Sequence, residues 1–179
     1  MPEALRQTDP YVLTVFLFRH AKSDWSDPTL PDDQRPLANR GRRDAGLLAV
    51  HLGEAHIGPE LILCSPARRT RETLELAFGQ TDVRVEFDPV LYAASAATLL
   101  DRLRDTPDTV SSVMLIGHNP GLHDLALLLV DSGKKRTQLE AKFPTGALAT
   151  ITAPAGTWRD LGRVPGVLSE YVTPATLRG

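Results

Sequence analysis

Two continuous apolar runs in this chain each stop at a histidine, and that pairing narrows the folds open to it. Val12-Leu13-Thr14-Val15-Phe16-Leu17-Phe18 ends at Arg19-His20, and Val113-Met114-Leu115-Ile116 ends at Gly117-His118-Asn119-Pro120-Gly121. Between them, Leu61-Ile62-Leu63-Cys64 runs into Ser65-Pro66-Ala67-Arg68-Arg69. Short apolar runs bounded by turn signals read as strands buried on both faces, the pattern of a parallel sheet. In a parallel α/β sheet, ligands bind at the carboxyl ends of the strands. Two imidazoles and at least two guanidiniums are therefore expected at one edge. Histidine supplies a nucleophile or proton carrier, and arginine a fixed positive fork for phosphate. This is the chemistry of phosphoryl transfer without a metal.

The intervening segments alternate helix and strand. Asn39 is predicted to cap a helix to about Glu54, with Ala45, Leu48, Ala49 and Leu52 as its apolar stripe. Ser65 followed by Pro66 predicts a hydroxyl cap, then proline at the first helical position, with Gly79 stopping that helix after Phe78. Val83, Val85 and Phe87 alternate as in a half-buried strand, and Ser95 to Asp105 reads as a helix. A strand over 110–116, a helix over 122–130 and a strand over 147–152 follow. The polar segment Ser23 to Asn39, with Pro28, Pro31 and Pro36, predicts a long loop. Loops of that length are usually functional or disordered. Residues 1–10 read as a loose arm. The tail around Trp158, Val164, Val167 and Leu168 reads as irregular. The expectation is one α/β domain over 1–179, with no repeat.

Composition bounds the function. At 179 residues, 42% hydrophobic and 23% charged, the chain has the profile of a soluble domain with a sizeable core. A formal charge of -2 argues against bulk affinity for nucleic acid. Its single cysteine, Cys64, excludes an intrachain disulfide framework and a Cys-rich metal site. No signal peptide or membrane-length apolar stretch is present, so a cytoplasmic protein is expected. Nothing in the sequence sets the oligomeric state.

With Ser65 as cap, Arg69 lies about one turn into its helix. Helical side chains tilt toward the N-terminus, so Arg69 is predicted to point back at the edge where His20 and His118 emerge. Arg68, about a quarter-turn round, is predicted to face solvent. The helix N-terminus adds partial positive charge.

Phe18-Arg19-His20-Ala21-Lys22-Ser23, Ser65-Pro66-Ala67-Arg68-Arg69-Thr70-Arg71-Glu72-Thr73 and Gly117-His118-Asn119-Pro120-Gly121 together resemble the histidine phosphatase superfamily. Arg35-Pro36-Leu37 adds a similarity to its small SixA-type phosphohistidine phosphatases. The resemblance spans roughly 12–130. It implies a three-layer α/β/α, phosphoglycerate mutase-like fold with a mostly parallel open sheet. It also implies His20 as the nucleophile that takes the phosphoryl group. Arg19, Arg69 and His118 would form the phosphate pocket, with Arg35 lining it, and no metal or cofactor would be needed. A phosphorylated substrate follows, a phosphohistidine protein in the SixA-type case.

One departure shapes the substrate expectation. Many superfamily members carry an acidic proton donor after the third strand, but Val90-Leu91-Tyr92-Ala93-Ala94-Ser95-Ala96 holds no carboxylate. A general acid contributes roughly 10²–10⁴-fold when the leaving group needs a proton. Without one, the N–P bond of phosphohistidine is favoured over alkyl esters, with Asp24 and Asp88 left as other proton sources. Trp25 and Tyr92 are candidates for the pocket rim, with ordinary packing the equal alternative.

Other readings rank lower. A cysteine-phosphatase loop from Cys64 needs arginine six positions on, where Thr70 stands. His118, His123 and Asp124 lack a third nitrogen ligand for zinc. His51 and His56, at a helix end, are expected to face solvent. A non-catalytic phosphate- or phosphohistidine-binding module, and a mutase or small-molecule phosphomonoesterase of the same fold, are the alternatives carried forward.

Overall fold

The computed structural model describes residues 12–179, so the expected arm at 1–10 lies outside the described residues. A six-stranded sheet runs in the order β3-β2-β4-β1-β5-β6. Its strands are β1 (Leu13–Arg19), β2 (Leu61–Cys64), β3 (Arg84–Phe87), β4 (Ser112–Gly117), β5 (Leu148–Ala153) and β6 (Val167–Val172). The first four are mutually parallel, while β5 runs antiparallel to β1 and β6 antiparallel to β5. The helices are α1 (Asn39–Glu54), α2 (Arg68–Phe78), α3 (Ala96–Arg104), α4 (Gly121–Leu129), α5 (Lys134–Ala141) and the short α6 (Pro174–Leu177).

The strand period of two sorts the sheet's side chains into two cores. Leu13, Val15 and Leu17 share one face with Leu61, Leu63, Val113 and Leu115, packed on α3, α4 and the buried Trp158. Phe16 and Phe18 share the other with Ile62, Cys64, Met114 and Ile116, packed on Leu48 and Leu52 of α1 and Leu74 and Ala77 of α2. Helices on both faces give the expected three-layer α/β arrangement. Cys64 belongs to the second core, and burial pushes its thiol up to about 12. It is an inert packing residue.

Three local expectations need correction, and one helix was not anticipated. Asn39 is the first residue of α1, not its cap, and Ala38 before it contributes no side-chain cap. Helix α2 begins at Arg68 rather than Pro66, with Ala67 as an N-cap that offers no side-chain bond, and the Ser65 hydroxyl lies 2.7 Å from His118 Nε2. The tail contains a regular edge strand, β6, whose burial alternates too weakly to be read as one. Helix α5 was hidden in the basic run Lys134-Lys135-Arg136, since only Leu139 of it is buried.

The long loop is ordered. Ser23 bridges Leu37, the Asp24 amide donates to the Pro36 carbonyl at 2.8 Å, and a 3₁₀ turn forms at Asp32–Gln34. Its base is pressed against α1, where a Cβ on Gly41 would lie 2.1 Å from the Lys22 carbonyl oxygen. Only glycine permits that approach, which seats α1 beside the segment that follows β1.

Candidate active site

Parity and register build the site. In β1 the even positions run Phe16, Phe18, then His20. In β4 they run Met114, Ile116, then His118. The pairings Phe18↔Ile116 and Arg19↔Gly117 place His20 and His118 opposite one another, one step past the strands. The His20 amide continues the ladder by donating to the Gly117 carbonyl at 3.1 Å. Their ring centroids lie 5.2 Å apart. Strand β2, on the other side of β4, delivers Ser65 and then α2 to the same edge.

Both imidazoles are buried, each 7% exposed, so His20 is not the exposed strand-end residue that its position alone suggests. The tautomers follow from the partners. The Ala21 carbonyl can only accept, so His20 Nδ1 donates to it at 2.7 Å and Nε2 keeps its lone pair. A guanidinium can only donate, so His118 Nδ1 accepts from Arg69 Nη2 at 3.3 Å. His118 Nε2–H then donates to Ser65 Oγ at 2.7 Å. Burial, chiefly, pushes His20 down to about 3 and His118 down to about 4, with the arginine charges acting in the same direction. Both rings are neutral near pH 7.

The arginines surround this pair. Arg69 points back from the first turn of α2 to His118, while Arg68 turns out to solvent and pairs with Glu72 at 2.8 Å. Arg19 donates from Nη1 to the Phe143 carbonyl at 2.9 Å, and the Asn119 amide donates to that same oxygen at 2.9 Å. Burial and the nearby charge of Arg69 lower the Arg19 pKa, a mark of crowded positive charge. Arg35 stacks on the exposed Trp25 ring, 4.1 Å from its centroid. Arg19 Nε and Arg35 Nε and Nη1 are buried without a protein hydrogen-bond acceptor. An anion with several oxygens would satisfy such donors.

Sequence reasoning missed Asp32. Its Oδ2 accepts from Arg69 Nη2 at 2.9 Å and from the Tyr92 hydroxyl at 2.6 Å, and its main-chain oxygen accepts from Arg69 Nη1 at 2.6 Å. The signal was absent because Asp32 lies in a loop with no pattern and reaches the site through a fold-back of that loop. The two carboxylates considered as proton sources are engaged elsewhere. Asp24 accepts from the Ser26 amide at 2.8 Å in its own loop, and Asp88 accepts from Arg102 Nε at 2.7 Å. Tyr92 meets the cluster edge-on to His118, with centroids 5.4 Å apart. His51, expected in solvent, instead faces Glu170 at 3.1 Å. Among the described residues, no three His, Cys, Asp or Glu side chains gather as metal ligands would.

The buried neutral imidazoles carry a stability prediction. An unfolded histidine titrates near 6.5, so between that pH and about 3 to 4 the unfolded chain binds protons that the folded chain does not. Stability therefore rises with pH through this window. The urea midpoint should fall as pH is lowered from 6.5, and His20→Ala should flatten that fall. An unchanged slope in the variant would show that His20 is not held neutral by its burial.

Comparison with known proteins identifies the family and the fold. The family model described as histidine phosphatase superfamily (branch 1) matches residues 15–99. An uncharacterized protein of Mycobacterium tuberculosis, Rv1276c, is 35% identical over 147 residues, covering 80% of this chain and 90% of that protein. Among solved structures, a candidate phosphohistidine phosphatase SixA from Nakamurella multipartitia matches with a TM-score of 0.80 and 26% identity, over 91% of this chain and 96% of that one. A similarly assigned SixA from Agrobacterium tumefaciens gives a TM-score of 0.78 and 28% identity, over 90% and 99% of the two chains.

Proposed function

We infer the reaction from the family: this chain belongs to the histidine phosphatase superfamily, and it is a phosphatase. We propose that it works through a phosphohistidine on His20, and that its substrate is a phosphohistidine borne on a protein. The observation that carries the mechanism is the His20 tautomer. Nδ1–H is held by the Ala21 carbonyl, which leaves the Nε2 lone pair beside Arg69 and His118.

In the first step the His20 Nε2 lone pair forms a bond to phosphorus. The bond from phosphorus to the leaving group breaks in line, and the leaving group takes that electron pair and a proton from solvent. In the second step a water oxygen attacks phosphorus, the Nε2–P bond breaks, the pair returns to Nε2, and the water proton passes to solvent. Phosphate leaves with His20 restored. Charge on the equatorial oxygens is met by Arg19, Arg69 and the Arg35 donors, with His118 beside them. Fixed charges of this kind supply most of the rate in such transfers.

Two observations support the finer substrate reading. The SixA-named structures are the solved neighbours at 26% and 28% identity. The one carboxylate in the cluster, Asp32, is held below the usual carboxylate range, first by the Tyr92 hydroxyl and then by Arg69. An ionised carboxylate cannot donate a proton to a leaving group. Rates should therefore fall steeply as leaving-group pKa rises. Phosphohistidine peptide and aryl phosphates should be good substrates and alkyl phosphates poor ones. A graded series of phosphate monoesters, compared by kcat/KM, tests this. A flat dependence would reveal a working acid and move small sugar-phosphate substrates ahead of phosphohistidine.

The positive charge of this cluster comes from side chains, so we propose turnover independent of metal. Activity should survive exhaustive chelation, and vanadate should inhibit. Loss with EDTA and recovery with zinc or magnesium would reject the mechanism. No helix among the described residues is long and apolar enough to cross a membrane. With a single cysteine and a formal charge of -2, we place the protein in the cytoplasm and assign it no nucleic-acid partner.

A further inference from the structure

We propose that Asp32 is the positioning residue of the phosphate clamp. With Tyr92 it holds the Arg69 fork against His118, and it trims the charge of the site so that product phosphate is not retained. This rests on the phosphatase reading above.

Asp32 closes a chain of contacts from four separate segments. The Tyr92 hydroxyl donates to its Oδ2, Arg69 donates to the same oxygen and to its main-chain carbonyl, and Arg69 in turn donates to His118 Nδ1. The two contacts from Arg69 to one residue fix the guanidinium plane as well as its position. Fixing a plane is what a bidentate donor needs before it meets a trigonal-bipyramidal phosphoryl group. The Tyr92 hydroxyl anchors the carboxylate, which hangs on the 3₁₀ turn of the folded-back loop.

Charge makes the second half of the argument. Arg69 is 9% exposed in its side chain, and a buried guanidinium without a nearby anion is costly. Asp32 supplies that anion, and its Oδ1 also lies 3.7 Å from Arg35 Nε. Three guanidiniums, of Arg19, Arg35 and Arg69, against one carboxylate leave two positive charges when both imidazoles are neutral. That matches a phosphoryl dianion. Without Asp32, the site would hold dianionic phosphate more tightly in the ground state while leaving Arg69 free to rotate. Uniform tightening of this kind lowers KM without helping the chemical step.

The test is Asp32→Asn, with Tyr92→Phe as the milder variant. Each is measured with an activated aryl phosphate for kcat and KM, with inorganic phosphate by calorimetry, and by thermal unfolding. For Asp32→Asn, kcat should fall by about 10²-fold, the scale of a misplaced catalytic group. Inorganic phosphate should bind about tenfold more tightly, the scale of removing one neighbouring like charge. Tyr92→Phe should move both quantities the same way by less. A structural salt bridge alone would lower the melting temperature and leave kcat per folded molecule and phosphate affinity unchanged, which overturns the proposal. Weaker phosphate binding in Asp32→Asn also overturns it. If the wild-type protein turned over no phosphate compound, the phosphatase reading would fail. The calorimetric arm would still decide, on its own, whether Asp32 opposes a bound anion.

Discussion

His20→Ala is expected to lose turnover by at least about 10⁴-fold, the scale of removing a nucleophile from a site whose other groups remain. The reason lies in one atom. Of the two histidines at this edge, His20 alone presents an unprotonated ring nitrogen, its other nitrogen being committed to the Ala21 carbonyl at 2.7 Å. His118 has both nitrogens spent, on Arg69 and Ser65, so it cannot substitute. The fold should survive, because the His20 main-chain bond to Gly117 persists in the variant and His20 lies one residue past the end of β1. A brief substrate pulse, an alkaline quench and mass spectrometry should find phosphate on His20 of the wild type. The same procedure should find none on His118. Undiminished turnover by the folded alanine variant would remove the central claim.

What could be read in the sequence, and what could not, divides along the line between local and returning structure. Strand ends carry parity with them. Once Val12 to Phe18 and Val113 to Ile116 are read as buried parallel strands, the step of two from Phe18 to His20 and from Ile116 to His118 puts both rings on one face. The helix tilt that aims Arg69 back at the edge is equally local, and it tolerated an error of two residues in where α2 begins. The Ser65 hydroxyl illustrates that tolerance: its oxygen still accepts from the Ala67 amide at 3.4 Å, but its shorter contact is with His118. Asp32 was illegible for the opposite reason. Its place depends on where a seventeen-residue loop folds back (Ser23 to Asn39), which is set by the Ser23–Leu37 bridge and not by any period. Phe143 was illegible too, since it serves through a main-chain carbonyl that any residue would offer. Edge strand β6 and helix α5 lack a strong apolar face, and weak amphipathicity leaves periodicity with nothing to detect.

Neighbouring arginines in α2 should differ sharply when each is replaced by alanine. Arg68 is half exposed and spends its charge on Glu72 one turn later, at 2.8 Å. Exposed pairs of that kind are worth about 0–1 kcal/mol, so Arg68→Ala should leave kcat/KM within about fivefold of wild type. Arg69 is buried, touches His118, and is fixed in plane by Asp32. Losing one preorganised donor to transition-state charge costs roughly 2.7–4 kcal/mol, or about 10²–10³-fold in kcat. Arg69→Ala should exceed that range, because it also frees His118 Nδ1 and strands the Asp32 carboxylate beside the developing charge. Arg69→Lys separates these effects. Lysine restores a point charge but not the fork that meets Asp32 and His118 together, so it should recover phosphate affinity more than kcat. Steady-state kinetics of the three variants on one aryl phosphate make the comparison. A loss at position 69 as small as that at position 68 would mean that neither side chain reaches the phosphoryl group, and the clamp would have to be sought at Arg19 and Arg35 alone.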